Sequence, residues 1–69
     1  MNNLVKRSFT LAGHQTSIAL EIEFWEILKA AAAKRAVSLP ALVSEIDTNR
    51  GERPLASSLR VFCLTAQTA

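Results

Sequence analysis

The chain has 69 residues, a formal net charge of +2 and a composition that is 49% hydrophobic. A core of this size stabilises a monomer by only about 3–5 kcal/mol unless a disulfide, a metal or a partner chain adds to it. The single cysteine, Cys63, excludes an internal disulfide, and with one histidine it does not complete a tetrahedral zinc site. We therefore expect one small domain, residues 1–69, that buries its excess apolar surface in a homo-oligomer.

The N-terminal segment is basic, as is the C-terminal end, where residues 50–69 contain three arginines against one glutamate. Residues 1–20 contain Lys6 and Arg7 and no acidic residue, whereas residues 21–49 contain five acidic and three basic residues. The N-terminal segment therefore differs in charge from the middle of the chain. If the chain contacts phosphate, this segment is the first candidate. No apolar run approaches the roughly 20 residues of a membrane span, and no signal-peptide pattern is present. We expect a soluble cytoplasmic protein with no membrane partner.

Two segments near the N-terminus, residues 7–11 and 15–20, alternate apolar and polar side chains. Such alternation predicts strands with one buried face, and the short connection predicts a β-hairpin. The predicted apolar face comprises Phe9, Leu11, Ile18 and Leu20. The predicted opposite face of the second strand comprises Gln15, Ser17 and Ala19.

The position of the hairpin turn decides which residues pair. A turn at Gly13-His14 places glycine at the first central position of a type II′ turn and pairs Phe9 with Ile18. A turn at Ala12-Gly13 keeps the same faces. We take the first register as the prediction and the second as its alternative.

Three helices are predicted after the hairpin. The first runs from Ile22 to about Ala36, because large apolar residues and alanines recur at helical spacing. Ser38 is a predicted N-cap for a second helix that runs to about Arg50. A third helix fits residues 55–66. The apolar repeat of the first helix comprises Phe24, Trp25, Ile27, Leu28, Ala31 and Ala32.

Residues suited to catalysis are scarce. The only histidine, His14, lies in the predicted turn, and Cys63 lies in an apolar run that suits a buried, inert thiol. Gly13 and Gly51 are too far apart to form a glycine-rich phosphate loop. We expect no enzymatic activity, no cofactor, no metal and no small-molecule substrate.

A strand that leads directly into an amphipathic helix, followed by a Ser-capped second helix, is the most informative pattern. Residues 16–28 (TSIALEIEFWEIL) resemble the strand and first helix of ribbon-helix-helix DNA-binding domains of the Arc type. Residues 37–43 (VSLPALV) resemble their interhelical turn. Over about residues 6–64 the chain resembles an uncharacterised bacterial subgroup with an extra N-terminal strand. The pairs that carry this closer resemblance are Gly13-His14, Phe24-Trp25, Ile46-Asp47 and Leu59-Arg60.

The resemblance implies a homodimer whose paired strands enter the major groove of double-stranded DNA. It implies that Gln15, Ser17 and Ala19 face the bases, and that Lys6, Arg7 and Ser38 contact the phosphate backbone. It also implies a subunit interface that comprises Ile18, Leu20, Phe24, Trp25 and Leu28. An extra strand at residues 7–11 either occupies the edge that the partner strand would use or lies on the outer edge of a four-stranded dimeric sheet.

These observations predict an α+β homodimer of ribbon-helix-helix type, with an N-terminal β-hairpin followed by three helices. The predicted function is a DNA-binding transcriptional regulator. The alternative is a dimeric protein-interaction module that keeps the fold without binding DNA, because the middle of the chain is acidic and only Gln15 of the strand face can bind a base in a bidentate manner.

Overall fold

The protein is a two-stranded antiparallel hairpin followed by three helices, and the computed structural model describes residues 4–68. The elements are β1 (Leu4–Leu11), β2 (His14–Glu21), α1 (Ile22–Lys34), α2 (Leu39–Asn49) and α3 (Leu55–Thr68). This order confirms the predicted α+β arrangement. The ends of the predicted domain, residues 1–3 and 69, lie outside the described residues. Pairing of two chains stays a prediction.

The hairpin turn lies at Ala12-Gly13, so the predicted turn at Gly13-His14 is wrong and its alternative is correct. Both central residues have positive φ, 51° at Ala12 and 82° at Gly13. Two positive φ angles define a type I′ turn, which matches the right-handed twist of the strands. Phe9 therefore lies opposite Thr16, not Ile18. The shift is even, so the two predicted faces are unchanged.

Helix α1 ends two residues before the predicted boundary, in a Schellman motif. The Val37 N–H donates to Ala32 O at 3.0 Å, and the Ala36 N–H donates to Ala33 O at 3.0 Å. Ala36 has a φ of 58° at the position that glycine usually occupies. The motif reverses the chain into α2, where Ser38 is the predicted N-cap and its Oγ accepts from the N–H of Ala41 at 3.2 Å.

The hydrophobic core forms within one chain, with Trp25 at its centre. The Trp25 indole N–H donates to the backbone oxygen of Val5 at 2.8 Å, and its ring lies 5.8 Å from that of Phe9. A buried indole needs such a partner, so this bond fixes α1 against β1. The buried apolar residues are Phe9, Leu11, Ile18, Leu20, Trp25, Leu28, Ala32, Leu42, Val43, Leu59 and Cys63.

Four of the five side chains predicted at a subunit interface lie in this single-chain core. They are Ile18, Leu20, Trp25 and Leu28, and each is at most 4% exposed. Phe24 is half-buried at the edge of the core. Packing within one chain accounts for the burial of these four side chains, and the subunit interface stays a prediction. The large apolar side chains that stay exposed are Leu4, Ile22, Val37, Val61 and Leu64.

No helix within residues 4–68 combines the length and apolar character that a bilayer span requires.

Candidate nucleic-acid interface

The hairpin has an outer face that points away from the helices. The register pairs Thr10 with Gln15, Ser8 with Ser17, and Lys6 with Ala19 across this face. Every one of these side chains is exposed except Ala19, which is half-buried. The outer face is defined here as these residues: Lys6, Ser8, Thr10, Gln15, Ser17 and Ala19.

The structure brings four of the predicted DNA-contact residues together on this outer face, namely Lys6, Gln15, Ser17 and Ala19. It adds Ser8 and Thr10, which were not among the predicted site residues. Their signal was present in the sequence, because they alternate with the buried Phe9 and Leu11.

A hydrogen bond crosses the outer face. The hydroxyl oxygens of Ser8 and Ser17 are 3.1 Å apart, and either can donate. A serine hydroxyl has one donor and two acceptor sites, so each side chain keeps capacity for a further partner. The bond orients both hydroxyls at the centre of the face.

The outer face carries little charge, and the carboxylate at the end of β2, Glu21, is neutralised by an arginine of α3. Lys6 is the one basic side chain of the face as defined. At the last residue of β2, the Oε1 atom of Glu21 accepts hydrogen bonds from Nε and Nη2 of Arg60, both at 3.1 Å. A hydrogen bond from its own backbone N–H lowers the pKa of the Glu21 carboxyl below 4.5; slight burial opposes this shift, and Arg60 reinforces it.

Arg7 lies on the opposite side of the hairpin from Lys6, because neighbouring strand residues point to opposite faces. Its guanidinium carbon is 5.5 Å from the centroid of the Trp25 ring, a cation–π contact. Its Nε is buried without a hydrogen-bond partner among residues 4–68. The structure therefore does not bring Arg7 to the outer face.

Ser38 lies between α1 and α2 and is not a residue of the hairpin. Its hydroxyl is engaged by the Ala41 N–H, and Pro40 has no N–H. Of the N–H groups at positions 39–41, the one of Leu39 is left to meet a phosphate. The start of α2 therefore offers very few backbone N–H donors for the predicted phosphate contact.

The residues considered for catalysis are separated. His14 is exposed at the start of β2, whereas Cys63 is buried in α3 and its Sγ donates to Phe24 O at 3.6 Å. Burial raises the pKa of the Cys63 thiol to about 11, so the thiol is protonated at neutral pH. In the described part of the chain, no group of three or more His, Cys, Asp or Glu side chains is placed to hold a metal ion.

Known proteins share this fold and sequence pattern. The model of the ribbon-helix-helix domain family matches residues 4–67. The solved structure of an uncharacterized protein from Bordetella pertussis Tohama I is 36% identical, with a TM-score of 0.83. That match covers 94% of this chain and 56% of that chain. No curated protein matches. Because the family model spans almost the whole chain, the protein belongs to the ribbon-helix-helix domain family.

Proposed function

We propose that the protein is a cytoplasmic transcriptional regulator that binds double-stranded DNA as a homodimer, through an antiparallel β-ribbon in the major groove. The observation that carries the proposal is the outer face of the hairpin, whose side chains are small or polar and mostly exposed, while the large apolar side chains of the opposite face are buried. Ribbon-helix-helix domains typically bind DNA, and a two-stranded ribbon fits the width of the major groove.

The free edge of β2 supports the proposed dimer. Strand β1 covers one edge of β2, and no described strand covers the other. In a two-residue hairpin the residues that flank the turn form a hydrogen-bonded pair, and the pairs then alternate. The backbone groups of Gln15, Ser17 and Ala19 therefore point to the free edge. Antiparallel pairing with β2 of a second chain would give a four-stranded sheet with both outer faces side by side.

The side chains of the outer face have distinct proposed roles. Gln15 can bind adenine in a bidentate manner, Ser17 can bind several bases, and Ala19 can contact a thymine methyl group. Lys6 would contact a phosphate. Arg7 would have to leave the Trp25 ring to reach DNA, so we propose for it a structural role at the Trp25 ring in place of the predicted phosphate contact.

A salt titration of binding to a random duplex tests the proposal. Fluorescence anisotropy should show binding at about 50 mM salt, with an affinity that falls as salt rises. Lys6→Gln should reduce the slope of log K against log salt by about one for each phosphate contact that is lost. Lys29→Gln removes an equal charge from α1, where Lys29 pairs with Glu26, and serves as the matched control.

Two outcomes would contradict the proposal. One is the absence of duplex binding at about 50 mM salt, where electrostatic binding is strong. The other is a folded monomer at micromolar concentration in sedimentation, both alone and with duplex DNA.

A protein-interaction module that does not bind DNA is the second candidate. This candidate is favoured because the outer face has a single basic side chain, Lys6. A pull-down from cell extract treated with nuclease separates the two candidates. Protein partners that persist without nucleic acid support the interaction module, and loss of every partner contradicts it.

A further inference from the structure

A cavity of about 450 Å³ lies between α2 and α3, beside the end of α1. Three arginines line it: Arg35, Arg50 and Arg53. Its apolar wall includes Ile46 and Phe62, and none of its lining residues belongs to the hairpin. A cavity of this size, with a few polar groups beside an apolar wall, has the character of a small-molecule site.

The arginines are only partly neutralised. Arg35 Nη1 is 3.4 Å from Glu45 Oε2, and both side chains are about half exposed. Arg50 Nε is 2.7 Å from Asp47 Oδ1, and its Nη1 donates to the backbone oxygen of Arg53 at 2.7 Å. Among residues 4–68, no carboxylate forms an ion pair with Arg53. Three guanidinium groups against two carboxylates leave a positive charge at the cavity.

The guanidinium of Arg50 is partly fixed before any ligand arrives, because its Nε and Nη1 already donate to Asp47 Oδ1 and to the Arg53 backbone oxygen. Arg35 is fixed in a different way, with its guanidinium carbon 5.2 Å from the centroid of the Phe62 ring. Planar guanidinium groups held in this way suit the two oxygens of a carboxylate or a phosphate.

Ser58 is an independent sign of a missing partner. This residue lines the cavity and is only 7% exposed, and its hydroxyl oxygen has no hydrogen-bond partner in the described part of the protein. A buried hydroxyl without a partner is unfavourable.

We propose that this cavity binds a small organic oxyanion, a phosphate ester or a carboxylate with an apolar body. The anion meets the arginines and the Ser58 hydroxyl, and the apolar body packs on Phe62. The proposal does not depend on DNA binding, because it uses no residue of the outer face. The proposed ligand is bound without being chemically converted, so the proposal agrees with the expectation that the protein has no substrate.

Titration of the full chain with phenyl phosphate, benzoate and inorganic phosphate tests the proposal, with the arginine Nε–H signals followed by NMR. Phenyl phosphate or benzoate should shift the signals of all three arginines in a saturable manner, and the tighter of the two identifies the anion class. Inorganic phosphate should bind more weakly because it has no apolar body. Benzyl alcohol, which is neutral, should not bind.

Two pairs of variants make the test specific. Arg53→Gln should weaken the tighter ligand about tenfold, as expected for loss of a charged hydrogen bond. Lys34→Gln removes an equal charge from a residue that does not line this cavity and should have little effect. Ser58→Ala should weaken binding about threefold or more while the melting temperature stays equal or rises, because an unpaired buried hydroxyl is removed. Ser57→Ala is its neighbouring control.

Any of three results would overturn the proposal: no saturable shift with either organic anion, equal weakening by Arg53→Gln and Lys34→Gln, or wild-type affinity in Ser58→Ala. Duplex DNA that competes with phenyl phosphate for the same three arginine signals would instead assign them to the DNA backbone. Loss of DNA binding alone would leave this site unaffected, so the two proposals fail separately.

Discussion

The inner and outer faces of the hairpin belong to the same two strands but have opposite environments. On the inner face, Phe9, Leu11, Ile18 and Leu20 are at most 8% exposed and pack against the helices. On the outer face most side chains are exposed to solvent, and the hydroxyls of Ser8 and Ser17 are hydrogen-bonded to each other. Strand alternation thus separates the side chains that pack in the core from the side chains that face solvent. Substitutions on the outer face can therefore be made without disturbing the inner face.

The largest expected effect comes from Trp25 of α1, which packs against the inner face of the hairpin. Trp25→Ala should lower the free energy of unfolding by about 3–5 kcal/mol, because it leaves a cavity and frees the Val5 oxygen. Urea denaturation measures the loss. Trp25→Phe, which keeps most of the ring but lacks the N–H, should lose less. A loss below about 1 kcal/mol in Trp25→Ala would show that this residue does not hold the inner face in place.

A smaller effect is expected at the turn, which sets the register and thus which residues pair across the hairpin. Gly13→Ala should destabilise by about 1–2 kcal/mol, because its φ of 82° is unfavourable for a side chain even though nothing crowds the added carbon. Ala12→Asn should stabilise by about 0.5–1 kcal/mol, because Asn-Gly is the favoured type I′ pair. Thermal melts measure both. Equal melting temperatures for the two variants would contradict the type I′ turn.

The smallest expected effect lies at the end of the outer face, at Glu21. Its pKa is lower in the folded state than in the unfolded chain, so its contribution is complete above pH 4.5 and is lost as pH falls through the lowered pKa. Glu21→Gln should therefore make the acid limb of stability against pH shallower. Glu23→Gln, on the exposed side of α1, is the control. Identical acid limbs in wild type and Glu21→Gln would contradict a lowered pKa of the Glu21 carboxyl.

Much of the fold followed from local patterns in the chain. Alternation predicted both strand faces, the 3.6-residue repeat predicted α1, and Ser38 was correctly predicted as the cap of α2. The turn was harder, because glycine suits either the first central position of a type II′ turn or the second of a type I′ turn. An alanine at positive φ is unfavourable, so Ala12 gave no sign that it occupies such a position.

The candidate site was predictable in part for the same reason. Gln15, Ser17 and Ala19 were placed correctly by alternation, and Ser8 and Thr10 follow from the same rule. Arg7 was assigned to the DNA backbone by its charge, although alternation puts it beside Phe9 on the inner face. The cation–π contact with Trp25 joins residues 18 positions apart, which local patterns do not reveal.

Local sequence alone specified the order of elements, the two faces of the hairpin and the N-cap of α2, because these depend on neighbours within a few residues. Tertiary packing was needed to reveal that Trp25 and Leu28 are buried inside one chain, where the resemblance had implied a subunit interface. It also brought Arg35, Arg50 and Arg53 around one cavity. The physical reason is that burial and charge clustering depend on how three helices pack, and packing joins residues that are distant in sequence.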